Sequence, residues 1–441
     1  MSGVRRRTNP ALPAIAITLG TSAVFLWRTL TWPAAASPDA WAYLAFGRSL
    51  IRLERLRYDL ALTTPKPLGT VVGALAGVLP AERAFGVVAA LALGLTAGLL
   101  FLAAERVGGV LAGGAAALAF VLGANVSGVL SFGLIDAVTA ALIAASLAVT
   151  DGRIRIAVLV VAGLLRPEAW IVAGLAVYRW FDDQDELRRL GLAVLGVAAA
   201  PAIWLVWDAV FAGDALAILH ETDRTAATNG HAAIAWGAAT QAVTRVLSNA
   251  GNEVLIAVGA VGLFLVAVRR PNDWFPLAAL LAWAAVLVVE FQRGLPSNPR
   301  YGLAMVALLA YGVGCLVPRI REDRIGDVAV PLVVTSAAVL VAGSLPWGTS
   351  AARYASFNAD VRIARPMLEA AAQCGPLVVV GAPSDRALLP TLAVVTHQPL
   401  ARFSLAPASE ARPRLDRRKE VAQGFETPLG RLVVPDACAV S

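Results

Sequence analysis

The chain has 441 residues, of which 58% are hydrophobic and only 15% are charged. Apolar runs of roughly 20 residues recur along it, each long enough to cross a hydrocarbon core of about 30 Å, and this pattern excludes a soluble multidomain protein. The net charge of +7 comes largely from arginines in the loops, where they can face anionic lipid, so it does not indicate nucleic-acid binding. The composition predicts a polytopic helical membrane protein.

Nine apolar segments are predicted to cross the membrane as helices. They are residues 11–33, 84–104, 109–123, 134–150, 190–211, 251–268, 274–291, 301–317 and 327–346. Two further apolar halves lie between residues 156 and 181, separated by Arg166-Pro167-Glu168. Each half is too short to cross alone, and such a break is tolerated only where it faces protein or a wet cavity. The prediction is an all-α bundle of about 11 transmembrane or half-transmembrane helices.

Arginines between the spans predict the orientation of the chain. Those that fall together on one side are Arg5, Arg6, Arg7, Arg106, Arg153, Arg155, Arg179, Arg188, Arg189, Arg269, Arg270, Arg319, Arg321 and Arg324. Because basic loops stay in the cytoplasm, this side is predicted to be cytoplasmic, with the N-terminus on it and the first span retained. Abundant alanine, valine and arginine with little lysine suggest a bacterium of high GC content, such as an actinobacterium, and hence the plasma membrane.

Residues 347–441 form a more polar kind of sequence. The segments GPLVVVGAP and GRLVVPDAC are typical of strands, and DRALLPTLAVV is typical of a helix or mixed element. We therefore predict a transmembrane domain over residues 1–346 and a small extracytoplasmic α/β domain over residues 347–441. Cys374 and Cys438 both lie in this tail, where a disulfide between them is expected if the tail is outside the cytoplasm.

The first external loop, residues 34–83, is basic although it lies on the side where basic residues are scarce. Ser37 and Pro38 predict a helix start, and the helix is expected to continue to about Arg57. Its mixed arginine and apolar faces predict an amphipathic helix along the outer membrane surface, followed by a second short surface helix from Pro67. The basic side chains are predicted to bind anionic lipid headgroups.

The order of these elements resembles the GT-C fold glycosyltransferases, which are integral membrane enzymes that use polyprenyl-phosphate sugars. The resemblance covers roughly residues 11–211. Pro65-Lys66-Pro67-Leu68-Gly69 is similar to the His-Pro-Pro-Leu-Gly-Lys element of protein mannosyltransferases and to the Lys-Pro-Pro-Leu element of aminoarabinose transferases. The break at Arg166-Pro167-Glu168 and the start of a late span at Asn298-Pro299-Arg300-Tyr301 also resemble this superfamily.

The resemblance implies a role for particular residues. Asp39 would be the general base that deprotonates an acceptor hydroxyl, and Lys66, Arg300 and Arg166 would hold the donor phosphate. Many members carry two adjacent acids, whereas Asp39 stands between Pro38 and Ala40. The identity of the base and any dependence on a divalent metal therefore stay open, and no metal site is predicted. The alternative acids are Asp136, Asp208 and Glu168.

Structural roles compete with these functional ones. A carboxylate such as Asp39 is favoured in the first turn of any helix by the helix dipole. Lys66 and Arg300 lie at membrane boundaries, where long basic side chains reach for water without any catalytic role. Arg166 and Glu168 would then pair with each other or cap the two broken helices.

The leading functional hypothesis is transfer of a sugar, such as mannose or arabinofuranose, from a polyprenyl-phosphate donor to an extracytoplasmic cell-envelope glycan or lipid. A transporter or flippase for lipid-linked sugars is a second class, although such proteins place substrate groups near the midplane and often contain repeats. A third class is a scaffold for envelope assembly that retains the fold without activity, with the tail as its docking module. Loss of activity without loss of lipid binding on Asp39→Asn would distinguish enzyme from scaffold.

Overall fold

The computed structural model describes most of the helical bundle and parts of the tail. The described residues are 10–32, 36–58, 66–133, 135–181, 184–228, 234–294, 298–317, 325–344, 359, 365, 369, 377–380, 389–399, 403–406, 424–427 and 430–433. Cys374 and Cys438, and with them the predicted disulfide, lie outside these residues.

Helices account for nearly all of the described part of residues 10–344. They are α1 (Ala11–Thr31), α2 (Pro38–Ile51), α3 (Pro67–Ala76), α4 (Ala81–Gly108), α5 (Val110–Gly123), α6 (Val126–Phe132), α7 (Asp136–Ala148), α8 (Gly152–Gly163), α9 (Glu168–Trp180), α10 (Glu186–Phe211), α11 (Ala217–Thr228), α12 (Trp236–Ala250), α13 (Glu253–Arg269), α14 (Phe275–Gln292), α15 (Leu303–Leu316) and α16 (Ile325–Ser344). Alanine and leucine favour helices intrinsically, and lipid requires every backbone group to be satisfied within its own segment.

All nine predicted spans coincide with helices. Five segments are long and apolar enough to cross a membrane by length and composition: α1, α4, α10, α14 and the continuous run Pro299–Leu316 that contains α15. The four other predicted spans are α5, α7, α13 and α16. The polytopic helical class is therefore confirmed, and the number of crossings stays a prediction.

The predicted break between two half-length helices is also present. α8 ends at Gly163 and α9 begins at Glu168. The backbone N–H of Arg166 donates to the Ala162 carbonyl at 2.9 Å, and the indole N–H of Trp170 donates to the Gly163 carbonyl at 2.9 Å. These bonds satisfy the open end of α8, so the break is stable inside the bundle.

Hydrogen bonds gather arginines of the predicted cytoplasmic side at one end of the bundle, which we call the basic end. Arg106, at the end of α4, donates to the Ala148 carbonyl at the end of α7. Arg155, near the start of α8, donates to the Ser146 carbonyl at 2.9 Å. Arg179, at the end of α9, donates to the turn between α13 and α14. These contacts place the connection between α7 and α8 and the C-terminus of α9 at the basic end.

The opposite end, which we call the α2 end, receives the C-termini of α1 and α16. Arg28 in α1 donates to the Ala342 carbonyl in α16 at 2.9 Å, so both helices finish side by side. Arg83, at the start of α4, donates to the Thr29 carbonyl at 3.3 Å. The chain therefore leaves α16 at the end opposite the basic one, as the sequence predicts. The assignment of the two ends to cytoplasm and exterior stays a prediction.

The helix after Ser37 begins as predicted but differs in length and environment. Ser37 is the N-cap, and its hydroxyl accepts from the Ala40 N–H at 3.3 Å. The predicted end at about Arg57 is wrong, because α2 stops at Ile51 and Leu53 takes a positive φ of 55°. The predicted contact with lipid is not seen, because most of α2 is buried in protein, and its position relative to the membrane surface stays a prediction. The amphipathic pattern thus reflects packing against neighbouring segments rather than against lipid.

α2 packs closely against α3 because glycines line the crossing. A Cβ atom on Gly47 would collide with the backbone of Ala74, and one on Gly73 would collide with the Tyr43 carbonyl. Gly69 lies against the Tyr43 ring. Small residues let helix backbones approach closely in membrane proteins. The two helices therefore form a closely packed pair at the α2 end of the bundle.

Arginines of the first external loop bind helix ends of the protein itself. Arg48 donates to the Val394 carbonyl, Arg52 to the His397 carbonyl at 3.1 Å, and Arg55 to the Ala212 carbonyl at 2.7 Å. The last turn of a helix leaves carbonyls without partners, and cations are favoured there. This gives a reason for basic residues on this side. Their binding of anionic lipid headgroups stays a prediction.

The described parts of the tail form a small mixed sheet and one helix. The strands are β1 (Leu377–Val380), β2 (Phe403–Ala406), β3 (Gly424–Thr427) and β4 (Gly430–Val433), and the helix is α17 (Leu389–Val395). The sheet order is β2-β1-β4-β3, with β2 parallel to β1 and the other pairs antiparallel. β1, β4 and α17 were predicted from the sequence, whereas β2 and β3 were not.

α17 packs against α2, so the tail and the first external loop meet. Leu389, Leu392 and Val394 share an apolar cluster with Trp41 and Phe46 of α2. An apolar helix face buried against another element stabilises both. The division of the chain into two domains at residue 346 stays a prediction.

We expect Gly73→Val to destabilise the protein by about 2 kcal/mol, because the added side chain would meet the α2 backbone and force the two helices apart. Thermal unfolding of the purified protein in detergent measures this loss. Gly237→Ala in α12 is the control, since nothing lies within 4 Å of its added Cβ. Equal unfolding temperatures for the two variants would contradict the tight α2–α3 crossing.

Candidate functional site

The N-terminus of α2 presents Asp39 at the α2 end of the bundle. Pro38 occupies the first helical position and Asp39 follows in the first turn. A carboxylate there interacts favourably with the free N–H groups of the helix. The side chain keeps 24% of its surface exposed, so this carboxylate is reachable from outside.

Two other segments contribute buried charges beside it. Asp136 is the first residue of α7 and is 3% exposed. The turn between α8 and α9 supplies Arg166, which is 6% exposed, and Glu168, which is fully buried. Charged groups are this deeply buried only when other charges compensate them, so these segments must meet oppositely charged partners.

A 3-10 turn before α15 supplies the central cation. Asn298 caps this turn, and its side-chain oxygen accepts from the Arg300 N–H at 3.1 Å. Pro299 fixes the backbone, and Tyr301 follows Arg300 with its ring buried. The turn therefore holds the Arg300 guanidinium at the mouth of the bundle rather than in lipid.

The four charges form a chain of alternating sign. The Arg300 Nη1 donates to the Asp39 Oδ2, and the Arg300 Nε lies 3.9 Å from the Asp136 Oδ2. The Arg166 Nη2 donates to the other Asp136 oxygen, Oδ1. Each inner charge thus has an opposite charge on both sides, which compensates for the loss of water. We call Asp39, Arg300, Asp136 and Arg166 the charge chain.

Tyr301 supports both cations of the charge chain. The Arg166 Cζ atom lies 4.4 Å from the centre of the Tyr301 ring, and the Arg300 Cζ atom lies 5.2 Å from it. A guanidinium over an aromatic face is attracted by the ring electrons. Tyr301 therefore fixes the spacing of the two arginines, a role that sequence analysis did not assign.

Lys66 lies next to the charge chain, immediately before α3. The N–H of Leu68 approaches the Leu164 carbonyl at 3.4 Å, which places the start of α3 against the break between α8 and α9. Lys66 as a whole residue is half-buried. Its ammonium group is buried, and this burial lowers the Lys66 pKa to about 7. The positive charge of Arg166 also lowers this pKa, while Glu168 and Glu290 oppose the shift.

Glu168 and Glu290 complete the acidic side of this region. Neither carboxylate oxygen of Glu168 has a hydrogen-bond partner among the described residues. Of the two structural roles considered for Arg166 and Glu168, pairing with each other is not observed, because Arg166 binds Asp136 on α7 instead. Glu290, near the end of α14, interacts with the charges of Glu168, Arg166 and Lys66. Glu290 was not among the site residues predicted from the sequence, because nothing in a single sequence shows that α14 approaches Lys66.

Asp208 does not join the charge chain. Its carboxylate accepts from the Tyr58 hydroxyl and from the Ile218 N–H, each at 3.0 Å, and the residue is 1% exposed. These bonds connect the end of α10 with the external loop and with the start of α11. Asp208 therefore serves as an anchor between segments in this structure.

No group of three or more His, Cys, Asp or Glu side chains that could hold a metal ion occurs among the described residues. Asp39 and Asp136, the two acids nearest each other in the charge chain, share the Arg300 guanidinium between them.

Comparison with solved structures shows the fold of the chain. It matches a crystal structure of ArnT from Cupriavidus metallidurans bound to undecaprenyl phosphate with a TM-score of 0.62 and 13% identity, over 97% of this chain and 98% of that one. The apo structure of the same protein matches with a TM-score of 0.60 and 15% identity over the same shares. No family model matches the sequence, and no curated protein matches it by sequence. The chain therefore has the GT-C fold that its sequence resembles, shared here with an aminoarabinose transferase.

We expect Asp136→Asn to destabilise the protein by about 3 kcal/mol, because it leaves the buried Arg166 without its counter-charge. Chemical unfolding in detergent measures the loss. The double variant Asp136→Asn/Arg166→Gln should lose less than the sum of the two single variants, because the pair is removed together. Strictly additive losses would show that the two side chains do not interact.

Proposed function

We propose that this protein is a membrane glycosyltransferase that moves a sugar from a polyprenyl-phosphate donor to an extracytoplasmic cell-envelope acceptor, with Asp39 as general base. The observation that carries this proposal is the accessibility of Asp39. Asp136, Glu168 and Asp208 are 3%, 0% and 1% exposed, whereas the Asp39 side chain is 24% exposed. Of the four candidate acids, Asp39 alone combines membership of the charge chain with an open face that an acceptor hydroxyl can reach.

In the proposed reaction, Asp39 acts on the acceptor, and Lys66 and Arg300 act on the donor phosphate. The acceptor hydroxyl approaches Asp39, which takes its proton as the acceptor oxygen forms a bond to the anomeric carbon. The bond between that carbon and the donor phosphate oxygen breaks, and the phosphate leaves with the bonding electrons. Lys66 and Arg300 stabilise the charge that grows on this phosphate.

Two features support the placement of the donor phosphate beside Lys66 and Arg300. The Arg300 side chain is 21% exposed, so it is not fully enclosed beside Asp39. Lys66 is half-buried at the start of α3, where water competes weakly for its charge. Arg166 is more deeply buried and binds Asp136, so we assign it a positioning role. It orients Asp136, and it fixes the position of Arg300 through the Tyr301 ring that both arginines contact.

The fold supports a lipid-phosphate donor. The ArnT structure with the same fold was solved with undecaprenyl phosphate bound. By analogy we propose a polyprenyl-phosphate sugar as the donor here, a multi-pass location in the plasma membrane, and the α2 end as the extracytoplasmic face. Mannose or arabinofuranose as the sugar, and an actinobacterial envelope as the setting, are proposals based on composition and on analogy with the family.

We expect Asp39→Asn to lower the rate of sugar transfer by about 10²- to 10⁴-fold, the range for loss of a general base. The measurement is transfer from labelled polyprenyl-phosphate sugars to an envelope glycan extract in proteoliposomes. Asp273→Asn is the matched control, since this exposed acid pairs with Arg270 at the basic end. It should keep full activity.

Binding of the donor lipid should survive in Asp39→Asn if the variant is folded. Transfer at the wild-type rate in this variant would contradict Asp39 as the base and move that role to Asp136 or Glu168. Absence of transfer from any donor by the wild-type protein, with lipid binding intact, would instead favour a scaffold or a transporter.

We expect donor binding to be tighter at pH 6 than at pH 8, by up to about tenfold, because Lys66 with a pKa of about 7 gains its proton as the pH falls through that value. A polyprenyl-phosphate sugar is a phosphodiester, so its own charge is constant over this range. Lys66→Arg should bind the donor with little pH dependence, because arginine stays protonated. A pH profile that is identical in the wild type and in Lys66→Arg would contradict a role for Lys66 in holding the phosphate.

A further inference from the structure

A polar cavity lies apart from the charge chain, at the far end of α2. Its volume is about 760 Å³, and three segments of the chain line it: Ser49 of α2 with residues 54–58 after the helix, residues 212–224 around the start of α11, and Pro399 of the tail. Cavities that hold small organic ligands have volumes of roughly 300–1,000 Å³, so this one can hold a ligand much larger than an ion.

The floor of this cavity is fixed by hydrogen bonds. Tyr58 donates to the buried Asp208, and the Arg55 Nε donates to the Ala212 carbonyl at 2.7 Å. The N–H of Leu56 donates to the Phe211 carbonyl at 2.9 Å. These contacts attach the external loop to the end of α10, so the cavity exists before any ligand arrives and a ligand need not order it.

The charges that line the cavity balance one another. Three arginines, Arg55, Arg57 and Arg224, are matched by three carboxylates, those of Glu54, Asp214 and Glu221. The cations are also largely committed within the protein, because Arg55 binds a carbonyl and Arg224 binds Glu221. An anionic ligand would therefore meet no excess of positive charge.

The rim of the cavity offers donors and acceptors side by side. The ring of His220 lies 2.9 Å from the Asp214 carboxylate, and both side chains are largely exposed. Arg224 and Glu221 form a second adjacent pair. The Leu216 N–H and His220 both lower the pKa of Asp214, so its carboxylate stays ionised and available as an acceptor. Ligands with many hydroxyl groups, which donate and accept at once, match such a surface.

The distance from Asp39 decides what kind of ligand would connect the two sites. Ser49 lines the cavity and lies ten residues after Asp39 in the same helix, which separates them by about 15 Å along the axis. A single sugar at Asp39 would not reach the cavity. A chain of several sugar units would.

We propose that this cavity is a subsite for the growing end of a neutral oligosaccharide acceptor, which it holds while a terminal hydroxyl meets Asp39. This proposal rests on the proposed transferase function and identifies the acceptor as an uncharged polymer of several sugars. The tail contributes to the subsite through Pro399, so the acceptor site requires the docking of α17 on α2. His220 and Asp214 bind sugar hydroxyls at the rim, and Ala217 sits at the start of α11 where bulk would fill the cavity.

The test uses the full-length protein in nanodiscs and titration calorimetry with neutral manno- and arabino-hexasaccharides, the corresponding monosaccharides, and a hexasaccharide of uronic acids. We expect one neutral hexasaccharide to bind, and its monosaccharide to bind at least about tenfold more weakly. Binding of the neutral ligand should not depend on salt concentration, because no net charge is neutralised.

Ala217→Trp should weaken hexasaccharide binding about tenfold by occupying the cavity. The matched control is Leu219→Trp, which adds the same ring to a residue of α11 that is exposed and does not line the cavity. His220→Ala removes an exposed side chain and should weaken binding with no effect on folding. In transfer assays, Ala217→Trp should raise KM for the hexasaccharide while kcat and the reaction with a monosaccharide acceptor stay unchanged.

Three results would overturn the proposal: no neutral oligosaccharide binds, the binding is unaffected by both Ala217→Trp and His220→Ala, or the uronic acid hexasaccharide binds most tightly in a salt-dependent manner. Its failure is distinguishable from failure of the transferase function. If Ala217→Trp leaves the transfer rate unchanged with every acceptor, the subsite alone is overturned. If the hexasaccharide binds but no sugar is transferred, the enzymatic function is overturned and the subsite is kept.

Discussion

The α2 end of the bundle depends on the ion pairs of the charge chain. Arg300 binds Asp39 and lies near Asp136, and Asp136 in turn binds Arg166, so four segments far apart in sequence converge. A buried charge is costly alone, and the four charges are compensated together only when all four segments are in place. The same condition that stabilises this end therefore assembles the groups proposed to bind phosphate and to accept a proton.

α2 connects the proposed chemistry to the rest of the α2 end. Its N-terminus presents Asp39, its glycine face packs on α3 and so places Lys66, and its other side receives α17 of the tail. Its far end opens on the polar cavity proposed to hold the acceptor. Because one short rigid helix carries all of these contacts, the spacing between donor, base and acceptor is set by helix geometry rather than by loop flexibility.

Several arginines in this protein donate hydrogen bonds to carbonyls at the ends of helices. Their individual binding partners were therefore hard to predict from the sequence. Arg28, Arg55 and Arg106 each donate to a carbonyl near the end of another helix. The bias of basic residues toward one side predicted the two ends of the bundle well, since charge cannot remain in the hydrocarbon. It could not predict that Arg48 and Arg52 bind the tail, because their partners follow more than 340 residues later in the chain.

The sequence by itself determined the class of protein, the positions of the long apolar helices, the break before Glu168 and the capped start of α2, because hydrophobic length and local capping are properties of short segments. It also singled out Asp39, Lys66, Arg166 and Arg300. Only the tertiary structure decided that Arg166 binds Asp136 rather than Glu168, that Asp208 is an anchor, and that Glu290 and Tyr301 belong beside the charged groups. These facts depend on which helices are neighbours, and pairing between distant segments is not encoded in any local pattern.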